Sequence, residues 1–208
     1  ALLRCVGETG FSSILDVGAG SGFFSKYLLD NTYASKAVCV DTSYASESDG
    51  VFAGKSMQYR TGINVSDANL VLMMDVLEHV DDDAGLLQHY IAKVKPGTRF
   101  LITVPAFSFL WSQHDVFLEH KRRYTLREME QVLEASGLQL EHGSYFYGLV
   151  FPLAMITRML DRLLNKNIAE PRSQMKPSSK FINGLLYNIC KLDLLVFRIN
   201  RLAGLTVF

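Results

Sequence analysis

Short apolar runs alternate with segments of helical periodicity along the first two thirds of the chain. The runs cover residues 13–17, 37–40, 69–74 and 99–104. Each is continuously apolar rather than alternating, which is typical of strands buried on both faces. Helices between such strands provide the crossovers that parallel strands require. The pattern therefore predicts an α/β fold with a doubly wound, mostly parallel sheet.

Helix boundaries are marked by capping residues. An acidic cluster at 81–83 suits the start of a helix that runs to the Lys95-Pro96-Gly97 stop. Thr125 and Glu128 have the spacing of a capping box, and Gly137 follows as a C-terminal stop. These signals predict helices over 86–94 and 125–136, and residues 138–147 are expected to form a further strand.

The last quarter of the chain has a different pattern. Residues 149–164 and 181–202 hold amphipathic helical spacing. The polar stretch 165–180 between them, with Pro171 and Pro177, is expected to be a linker. The predicted organisation is a core at 1–147, a helical lid or insertion at 148–202 and a last strand at 203–208.

Composition indicates a globular protein, with 49% hydrophobic and 20% charged residues in 208. The formal net charge of zero argues against a nucleic-acid partner. It hides an asymmetry, because residues 1–144 carry a net −6 and residues 145–208 a net +6. The basic excess suits an anionic surface, although packing of the late helices as a core or lid is the favoured alternative. The basic residues concerned are Arg158, Arg162, Lys166, Arg172, Lys176 and Lys180.

The surroundings of the protein are expected to be the reducing cytoplasm. Cys5, Cys39 and Cys190 are odd in number and widely spaced, which argues against disulfides. No signal-peptide pattern is present, and the longest apolar run, 145–156, is about half the length of a spanning helix. We expect a monomer or homodimer with peripheral contact, if any, at the inner face of the membrane.

The densest chemical motif is Asp16-Val17-Gly18-Ala19-Gly20-Ser21-Gly22, between the first strand and the first helix. Glycines there let a ligand approach the backbone, and the helix N-terminus offers free N–H donors. A dinucleotide fingerprint would require glycine at position 23, where this chain has Phe23. Asp41 ends the second strand, where a carboxylate can bind both hydroxyls of a ribose; the plainer alternative is that it only caps the next turn. The motif predicts a nucleoside ligand and disfavours NAD.

These residues, with Met74-Asp75-Val76-Leu77-Glu78-His79-Val80, resemble the class I S-adenosylmethionine methyltransferases, in particular a small-molecule branch that includes ubiquinone-biosynthesis O-methyltransferases. The resemblance covers residues 12–143. It implies a Rossmann-like sheet of seven strands, S-adenosylmethionine as cofactor and S-adenosylhomocysteine as product. The implied cofactor-binding residues are Asp16, Gly18, Ala19, Gly20, Ser21, Gly22, Asp41, Thr42, Asp75, Val76 and Leu77. Adenine contacts would fall near 62–64, with Asp67 as the nearest acidic candidate.

A second polar cluster follows the strand at 99–104. It comprises Trp111-Ser112-Gln113-His114-Asp115 and Glu119-His120-Lys121-Arg122-Arg123-Tyr124, and it resembles a segment of bacterial methyltransferases associated with polyprenyl or cell-envelope chemistry. Imidazoles can act as general bases near neutral pH, and arginines bind phosphate or carboxylate. The candidate bases are His120, then His114, then His79. The candidate acceptor-binding residues are Trp111, Arg122, Arg123 and Tyr124.

Plainer interpretations of this cluster also stand. His79 would serve as a hydrogen-bonded structural histidine or a helix cap. Residues 121–123 would form a solvated basic turn whose charge is answered by Glu119 and Glu128. The spacing of His114, Asp115 and His120 matches no metalloenzyme pattern, so no metal site is predicted.

The sequence thus predicts a methyltransferase acting on oxygen or nitrogen of a small-molecule or lipid-linked acceptor. The rival enzyme is an NAD-dependent oxidoreductase, which Phe23 disfavours. The rival without catalysis is a membrane-associated protein that has kept the fold and the cofactor site as a scaffold.

Overall fold

The structure, a computed structural model, describes residues 1–7, 10–164 and 179–208. Most of the linker expected at 165–180 therefore lies outside the described residues, as do Lys166, Arg172, Lys176 and the side chain of Arg162. The chain divides into two units. The first unit comprises Ala1–Leu77 and Asp82–Thr103, and the second comprises Glu78–Asp81 and Val104–Phe208.

The first unit alternates strands and helices as the apolar runs predict. Its helices are α1 (Leu2–Val6), α2 (Phe23–Asn31) and α3 (Asp83–Ile91). A 3₁₀ turn (Leu77–His79) begins at Leu77, the last residue of the first segment of this unit. Its strands are β1 (Ser13–Val17), β2 (Lys36–Val40), β3 (Ser48–Phe52), β4 (Lys55–Arg60), β5 (Leu70–Met74) and β6 (Arg99–Pro105), whose last two residues belong to the second unit.

These six strands pair in the order β3-β4-β2-β1-β5-β6. All neighbours except β3 and β4 are parallel. Every residue of β1 is buried, as expected for a central strand covered on both faces. Ile14 of β1 belongs to a core that includes Leu28 and Leu29 of α2. The doubly wound, mostly parallel sheet predicted from the sequence is confirmed.

The number of strands differs from the expected seven, because the described residues form eight. The additional strand is β3, which pairs antiparallel with β4 at the edge of the sheet. Ala53 and Gly54 connect the two strands with φ angles of 50° and 73°. Positive φ at both positions of a two-residue turn matches the twist of a hairpin. The hairpin escapes an apolar-run analysis because β3 is largely exposed.

The second unit contains the remaining elements. They are α4 (Gln113–Phe117), α5 (Leu126–Ser136), α6 (Phe151–Leu164) and α7 (Lys180–Val196), the strands β7 (Tyr145–Phe146) and β8 (Thr206–Val207), and 3₁₀ turns at Ser108–Leu110 and Phe197–Ile199. The capping box of Thr125 and Glu128 is present at α5, and Gly137 ends that helix in the left-handed conformation. Both capping predictions are confirmed.

The strand expected over 138–147 is shorter than predicted. Only Tyr145 and Phe146 form β7, because the partner strand β8 offers just two residues, which also pair with Val104 and Pro105 of β6. The helix expected over 181–202 is also shorter, since α7 ends at Val196. The side chain of Asn200 then donates to the carbonyls of Tyr145 and Ala203, and these bonds hold a non-helical turn.

Helices α6 and α7 carry many exposed apolar side chains. They are Leu153, Ile156, Met159, Leu160 and Leu163 on α6, and Ile182, Leu185, Tyr187, Leu192, Leu195 and Val196 on α7. Ile199, just past α7, is 80% exposed. Within the described part of the chain, no helix combines the length and the apolarity needed to cross a membrane.

Candidate functional site

The glycine-rich motif forms a tight turn between β1 and α2. Gly18, Gly20 and Gly22 have φ angles of 67°, 51° and 70°, and Gly22 is the N-cap of α2. The N–H of Gly18 donates to the carbonyl of Val40 at the end of β2, at 2.8 Å. The turn is therefore anchored to the carboxyl ends of two adjacent parallel strands, where ligands of such sheets bind.

Asp41, directly after β2, joins the glycine turn to the next loop. Its Oδ2 accepts the N–H of Gly20 at 2.9 Å, and its Oδ1 accepts the backbone N–H and the hydroxyl of Ser43 at 2.9 and 2.6 Å. Partial burial would raise the pKa of Asp41, but these bonds outweigh it and hold the pKa below its ordinary value. Asp41 is thus an ionised acceptor held at the strand end.

Asp16 lies beneath the turn rather than on its surface. It is 1% exposed and its Oδ2 accepts the hydroxyl of Ser25 on α2 at 2.8 Å. Burial raises the pKa of Asp16 to about 6, against the opposing effect of the Ser25 hydrogen bond. In this position Asp16 joins β1 to α2, and through them it supports the glycine turn.

A cavity of about 440 Å³ opens beside Asp41 in the first unit. It is lined by Thr42, Thr61, Gly62, Ile63, Asn64, Leu86, His89, Tyr90 and Lys93. Its volume is within the range of small-molecule sites, and aromatic and aliphatic walls with a few polar groups are typical of them. The stretch 62–64, which the family resemblance assigns to adenine contacts, forms part of the wall. Asp67, the nearest acidic candidate, is not part of the cavity lining and forms an ion pair with Lys36 at 2.5 Å.

Residues 75–77, after β5, complete this part of the first unit. Asp75 has a φ of 56°, donates its N–H to the carbonyl of Thr103 at 3.0 Å and accepts the Thr103 hydroxyl at 3.1 Å. Val76 packs against Gly18, and Leu77 is fully buried. The structure thereby brings two of the predicted cofactor motifs, 16–22 and 75–77, into contact.

The second unit holds a separate cluster of ionisable side chains. Glu78 is fully buried, and its Oε1 lies 4.0 Å from Nε2 of His120. The rings of His79 and His120 meet edge to face with 4.8 Å between centroids. Two of the three histidines proposed as bases are therefore neighbours.

Asp115 contacts the other ring nitrogen of His120, Nδ1. Its Oδ1 lies 3.0 Å from Nδ1 of His120 and accepts Nε–H of Arg123 at 2.7 Å. Its Oδ2 accepts the N–H and hydroxyl of Ser112 at 2.8 and 2.9 Å, which forms the capping box of α4. Although burial raises the pKa of Asp115, the bonds from Arg123 and Ser112 hold it below its ordinary value. An ionised carboxylate only accepts, so Nδ1 of His120 is the donor, and in the neutral form of the ring the lone pair is then on Nε2.

The basic run 121–123 is used within the second unit. The N–H of Lys121 donates to the carbonyl of Glu78 at 2.7 Å, and its ammonium pairs with Asp81. Arg122 donates to the carbonyl of Asp81 at 2.8 Å. Arg123 adds a bond to the carbonyl of Ala106 at 2.9 Å. The run is therefore a docked loop and not simply a solvated basic turn.

The other predicted residues of this cluster are more peripheral. His114 lies on α4 and stacks on Phe117, with its Nδ1 buried and without a hydrogen-bond partner among the described residues. Trp111 is half-buried at the end of the 3₁₀ turn. Tyr124 is 3% exposed, and its backbone bonds to Pro105 and Phe107.

Some residues of both sites are not among the sequence-based candidates. In the first unit these include Ser25 and Tyr44, whose hydroxyl donates to the carbonyl of Gly20 at 2.6 Å. The α3 residues that line the cavity, Leu86, His89 and Tyr90, are also missed, as is Lys93 in the turn after α3. The three on α3 lie on a helix face that looks like ordinary amphipathic packing in the sequence. The position of Thr42 beside Asp41 and the family resemblance at 62–64 are the signals in the sequence that pointed to this cavity.

Comparison with known proteins agrees with this architecture. A family profile described as "Methyltransferase domain" matches residues 2–143. No curated protein matches in sequence. A S-adenosylmethionine dependent methyltransferase from Mesorhizobium loti is 19% identical over 77% of this chain and 91% of its own, with a TM-score of 0.56.

A similar enzyme from Archaeoglobus fulgidus is 17% identical over 99% of this chain and 88% of its own, also with a TM-score of 0.56. A proposed methyltransferase in a complex with the Haloferax volcanii Trm112 methyltransferase activator is 16% identical over 76% and 81%, with a TM-score of 0.57. At such identities these likenesses describe the fold, whereas the profile spans more than half of the sequence. The chain therefore belongs to the methyltransferase-domain family and has the fold of S-adenosylmethionine-dependent methyltransferases.

Proposed function

We propose that this chain transfers a methyl group from S-adenosylmethionine to an oxygen or nitrogen of a small-molecule or lipid-linked acceptor and releases S-adenosylhomocysteine. The observation that carries the proposal is the contact between Asp41 and Gly20, next in sequence to Thr42, which lines the 440 Å³ cavity. An ionised acid, a glycine turn and a cavity of small-molecule size thus lie in one unit, as a nucleoside cofactor requires. Membership of the methyltransferase-domain family supports the same activity.

The residues present fit such a cofactor. A Cβ on Gly20 would meet no atom within 4 Å, which leaves room for a ligand above the turn. Asp41 would bind the ribose hydroxyls, Thr42 and the cavity walls would receive the adenine, and Gly18 to Gly22 would face the amino-acid portion. Asp75, Val76 and Leu77 complete the proposed contacts, and Asp16 would act from beneath the turn. The cofactor supplies an electrophilic methyl group on a positively charged sulfur.

The protein must orient the acceptor and remove its proton. His120 is the first candidate, because Asp115 contacts its Nδ1, which in the neutral ring leaves the lone pair of Nε2 to accept a proton. His114 and His79 remain the second and third candidates, and Trp111 and Arg122 are the candidates for acceptor contact. Arg123 and Tyr124, through their internal bonds, position this loop. The division into 1–147, 148–202 and 203–208 stays a prediction.

Calorimetric titration with S-adenosylhomocysteine tests the cofactor site, with NADH titrated beside it. We expect micromolar binding of S-adenosylhomocysteine alone, weakened roughly 10- to 100-fold in Asp41→Ala, because hydrogen bonds to a charged group contribute about 1.5–3 kcal/mol each. The matched control is Asp67→Ala, an exposed carboxylate of the same unit. Failure of the wild type to bind would overturn the proposal, and binding of NADH instead would favour the oxidoreductase.

Turnover of the methyl donor distinguishes an enzyme from a scaffold that binds the cofactor. Incubation with radiolabelled S-adenosylmethionine and extracts of small molecules and lipids should transfer label to an acceptor. Binding without any transfer or S-adenosylhomocysteine release would contradict catalysis and support the scaffold.

We also infer that the second unit contacts an anionic lipid surface, through an apolar face on α6 and α7. Exposed apolar side chains of the two helices include Leu163 and Leu195, at 71 and 69%, and Ile199 in the 3₁₀ turn after α7 is 80% exposed. Of the described side chains on α6 and α7, the surface-facing charges are basic, since Asp193 is buried and accepts the N–H groups of Gly148 and Leu149. Apolar area beside positive charge is the pattern of helices that lie in a membrane interface.

Co-sedimentation with vesicles tests this surface. We expect binding to vesicles of phosphatidylglycerol and phosphatidylcholine, reduced by salt and by omission of the anionic lipid. Leu195→Glu with Ile199→Glu should reduce the bound fraction about tenfold. The control, Val51→Glu with Val65→Glu, changes equally exposed apolar residues of the first unit. Equal sedimentation of both pairs, or no sedimentation of the wild type, would overturn the inference.

A further inference from the structure

Three side chains of the second unit offer ligand atoms to a common point. Glu78, His79 and His120 contribute one carboxylate oxygen and two imidazole nitrogens, all within 4.8 Å of one another. A point exists within about 2.8 Å of three atoms so spaced, so side-chain shifts of less than about 1 Å would reach the bond lengths of about 2.1 Å that transition metals make. His79 is exposed and has room for such a shift.

The backbone fixes the two halves of this cluster against each other. The 3₁₀ turn Leu77–His79 places Glu78 and His79 side by side. The N–H of Lys121 donates to the carbonyl of Glu78 at 2.7 Å, which brings the preceding residue, His120, to the same place. The ion pair of Lys121 with Asp81 adds a second attachment. Main-chain bonds thus bring the three residues together, and the rotamer of the exposed His79 side chain sets the position of its nitrogen.

Asp115 gives His120 the support typical of a metal ligand. Its Oδ1 lies 3.0 Å from Nδ1 of His120, and Nε2 on the other side of the ring lies 4.0 Å from Oε1 of Glu78, which leaves Nε2 for the ion. A carboxylate behind a ligating histidine orients the ring and strengthens its lone pair as a donor. Arg123 and Ser112 hold the Asp115 carboxylate in turn.

We propose that Glu78, His79 and His120 bind a divalent transition-metal ion. Two imidazoles with one carboxylate favour ions such as Zn²⁺, Co²⁺ or Mn²⁺ over Mg²⁺ and Ca²⁺, which prefer sets of oxygen ligands. Three protein ligands leave coordination positions open, as in catalytic rather than structural sites. The sequence predicted no metal, because the spacing of His114, Asp115 and His120 was uninformative. In the tertiary structure a different trio comes together. Glu78 and His79 are about 40 residues from His120 in sequence, so their spacing gave no indication of the site.

The role of the ion rests on the proposed function. A divalent cation lowers the pKa of a hydroxyl that approaches it, so an acceptor with a hydroxyl, or two adjacent hydroxyls, is favoured over an amine. His120 then serves as a ligand through Nε2 and no longer as the general base. The acceptor proton leaves to solvent, the acceptor oxygen forms the new bond to the methyl carbon, and the electrons of the broken carbon–sulfur bond stay on sulfur.

Direct metal binding is the first test. The tag-free full chain, stripped with EDTA and dialysed, is titrated separately with Mn²⁺, Co²⁺, Zn²⁺ and Mg²⁺ by calorimetry, and Mn²⁺ binding is followed by electron paramagnetic resonance. We expect one ion per chain at low micromolar or tighter affinity for at least one transition ion. Absence of such binding, or binding of Mg²⁺ alone, would overturn the proposal.

Variants locate the ion. His79→Ala and His120→Ala should each weaken binding about tenfold or more, and Asp115→Asn should weaken it by about 10- to 100-fold through its effect on His120. His142→Ala, at an exposed histidine of the same unit, is the matched control and should bind as the wild type does. Unchanged affinity in both His79→Ala and His120→Ala would overturn the site even if an ion binds elsewhere. His79 is exposed, so its variant should fold.

Titration of the same samples with S-adenosylhomocysteine keeps the two proposals separate. Metal binding without nucleoside binding would contradict the proposed function and leave the metal site intact. Nucleoside binding without metal binding would overturn the metal site alone. When both bind, addition of EDTA should reduce methyl transfer at least tenfold, with recovery on adding the ion; transfer unaffected by EDTA would overturn its catalytic role.

Discussion

The backbone of Gly18 lies directly against the side chain of Val76. A Cβ built on Gly18 would lie 2.7 Å from Cγ2 of Val76, closer than non-bonded carbon atoms approach in proteins. Gly18 also has a φ of 67°, which side chains disfavour. The contact joins the turn after β1 to the residues after β5. Two segments that are nearly 60 residues apart in sequence thereby define one surface of the proposed cofactor site.

Gly18→Ala should destabilise the protein by roughly 2–4 kcal/mol, from the left-handed backbone and the overlap with Val76. Adding Val76→Ala should recover the part due to overlap, so that the two changes are not additive. Urea unfolding followed by circular dichroism measures both. Gly97→Ala is the control, because Gly97 has a φ of 84° but no atom within 4 Å of its added Cβ. Equal losses in Gly18→Ala and Gly97→Ala would show that the contact is unimportant.

Asp16 should make the stability depend on pH. Burial raises the pKa of Asp16 from 3.8 to about 6, so the folded state binds the proton more tightly than the unfolded chain. Its contribution to stability is therefore most favourable below pH 4 and is lost as the pH rises through about 6. Asp16→Asn should stabilise the protein at pH 8 by up to roughly 3 kcal/mol, with the gain shrinking towards pH 5.

Urea titrations of the wild type and Asp16→Asn at pH 5, 6.5 and 8 measure this dependence. Asp67→Asn is the comparison, because Lys36 lowers the pKa of Asp67, and it should show no gain at pH 8. A gain from Asp16→Asn that does not change with pH would exclude titration of Asp16 as its cause.

Ile63→Trp should block the proposed adenine pocket. Ile63 lies on a loop wall of the 440 Å³ cavity, so a larger side chain can enter the cavity without displacing a strand or helix. Affinity for S-adenosylhomocysteine should fall about tenfold or more, with the unfolding midpoint little changed. Retained affinity in calorimetry would place the nucleoside elsewhere. Val65→Trp, at an exposed residue outside the cavity lining, controls for the bulk of the new side chain.

Arg123→Met should destabilise the protein by about 3–5 kcal/mol, because it leaves the buried carboxylate of Asp115 without its charged partner. Combining it with Asp115→Asn should cost less than the sum of the two single changes. Arg201→Met removes an exposed pair with Glu130 and should cost less than about 1 kcal/mol. Thermal unfolding compares the variants; similar losses for Arg123→Met and Arg201→Met would contradict the structural role of Arg123.

Local signals predicted much of the fold. The continuous apolar runs located β1, β2, β5 and β6, because a strand buried on both faces has no polar side. The capping residues of α5 bond within three or four residues, so Thr125, Glu128 and Gly137 were informative by themselves. The exposed strand β3 has no such pattern, and its position depends on pairing with β4. The eighth strand therefore required the structure.

The site divides in the same way. Asp41 and the glycine turn are recognisable in the sequence, since their chemistry depends on the end of a strand and the start of a helix. Glu78, His79 and His120 are visible too, but the sequence does not show that His120 lies beside the other two or that Asp115 supports it.

The sequence by itself determined the positions of β1, β2, β5 and β6, the family and the glycine turn after β1, because these depend on periodicity and on bonds between near neighbours in the chain. Only the tertiary structure decided the cavity lined by α3, the exposed faces of α6 and α7, and the trio Glu78, His79 and His120. These features arise where residues distant in the chain meet, and that meeting is determined by packing and by main-chain bonds such as the one from Lys121 to Glu78.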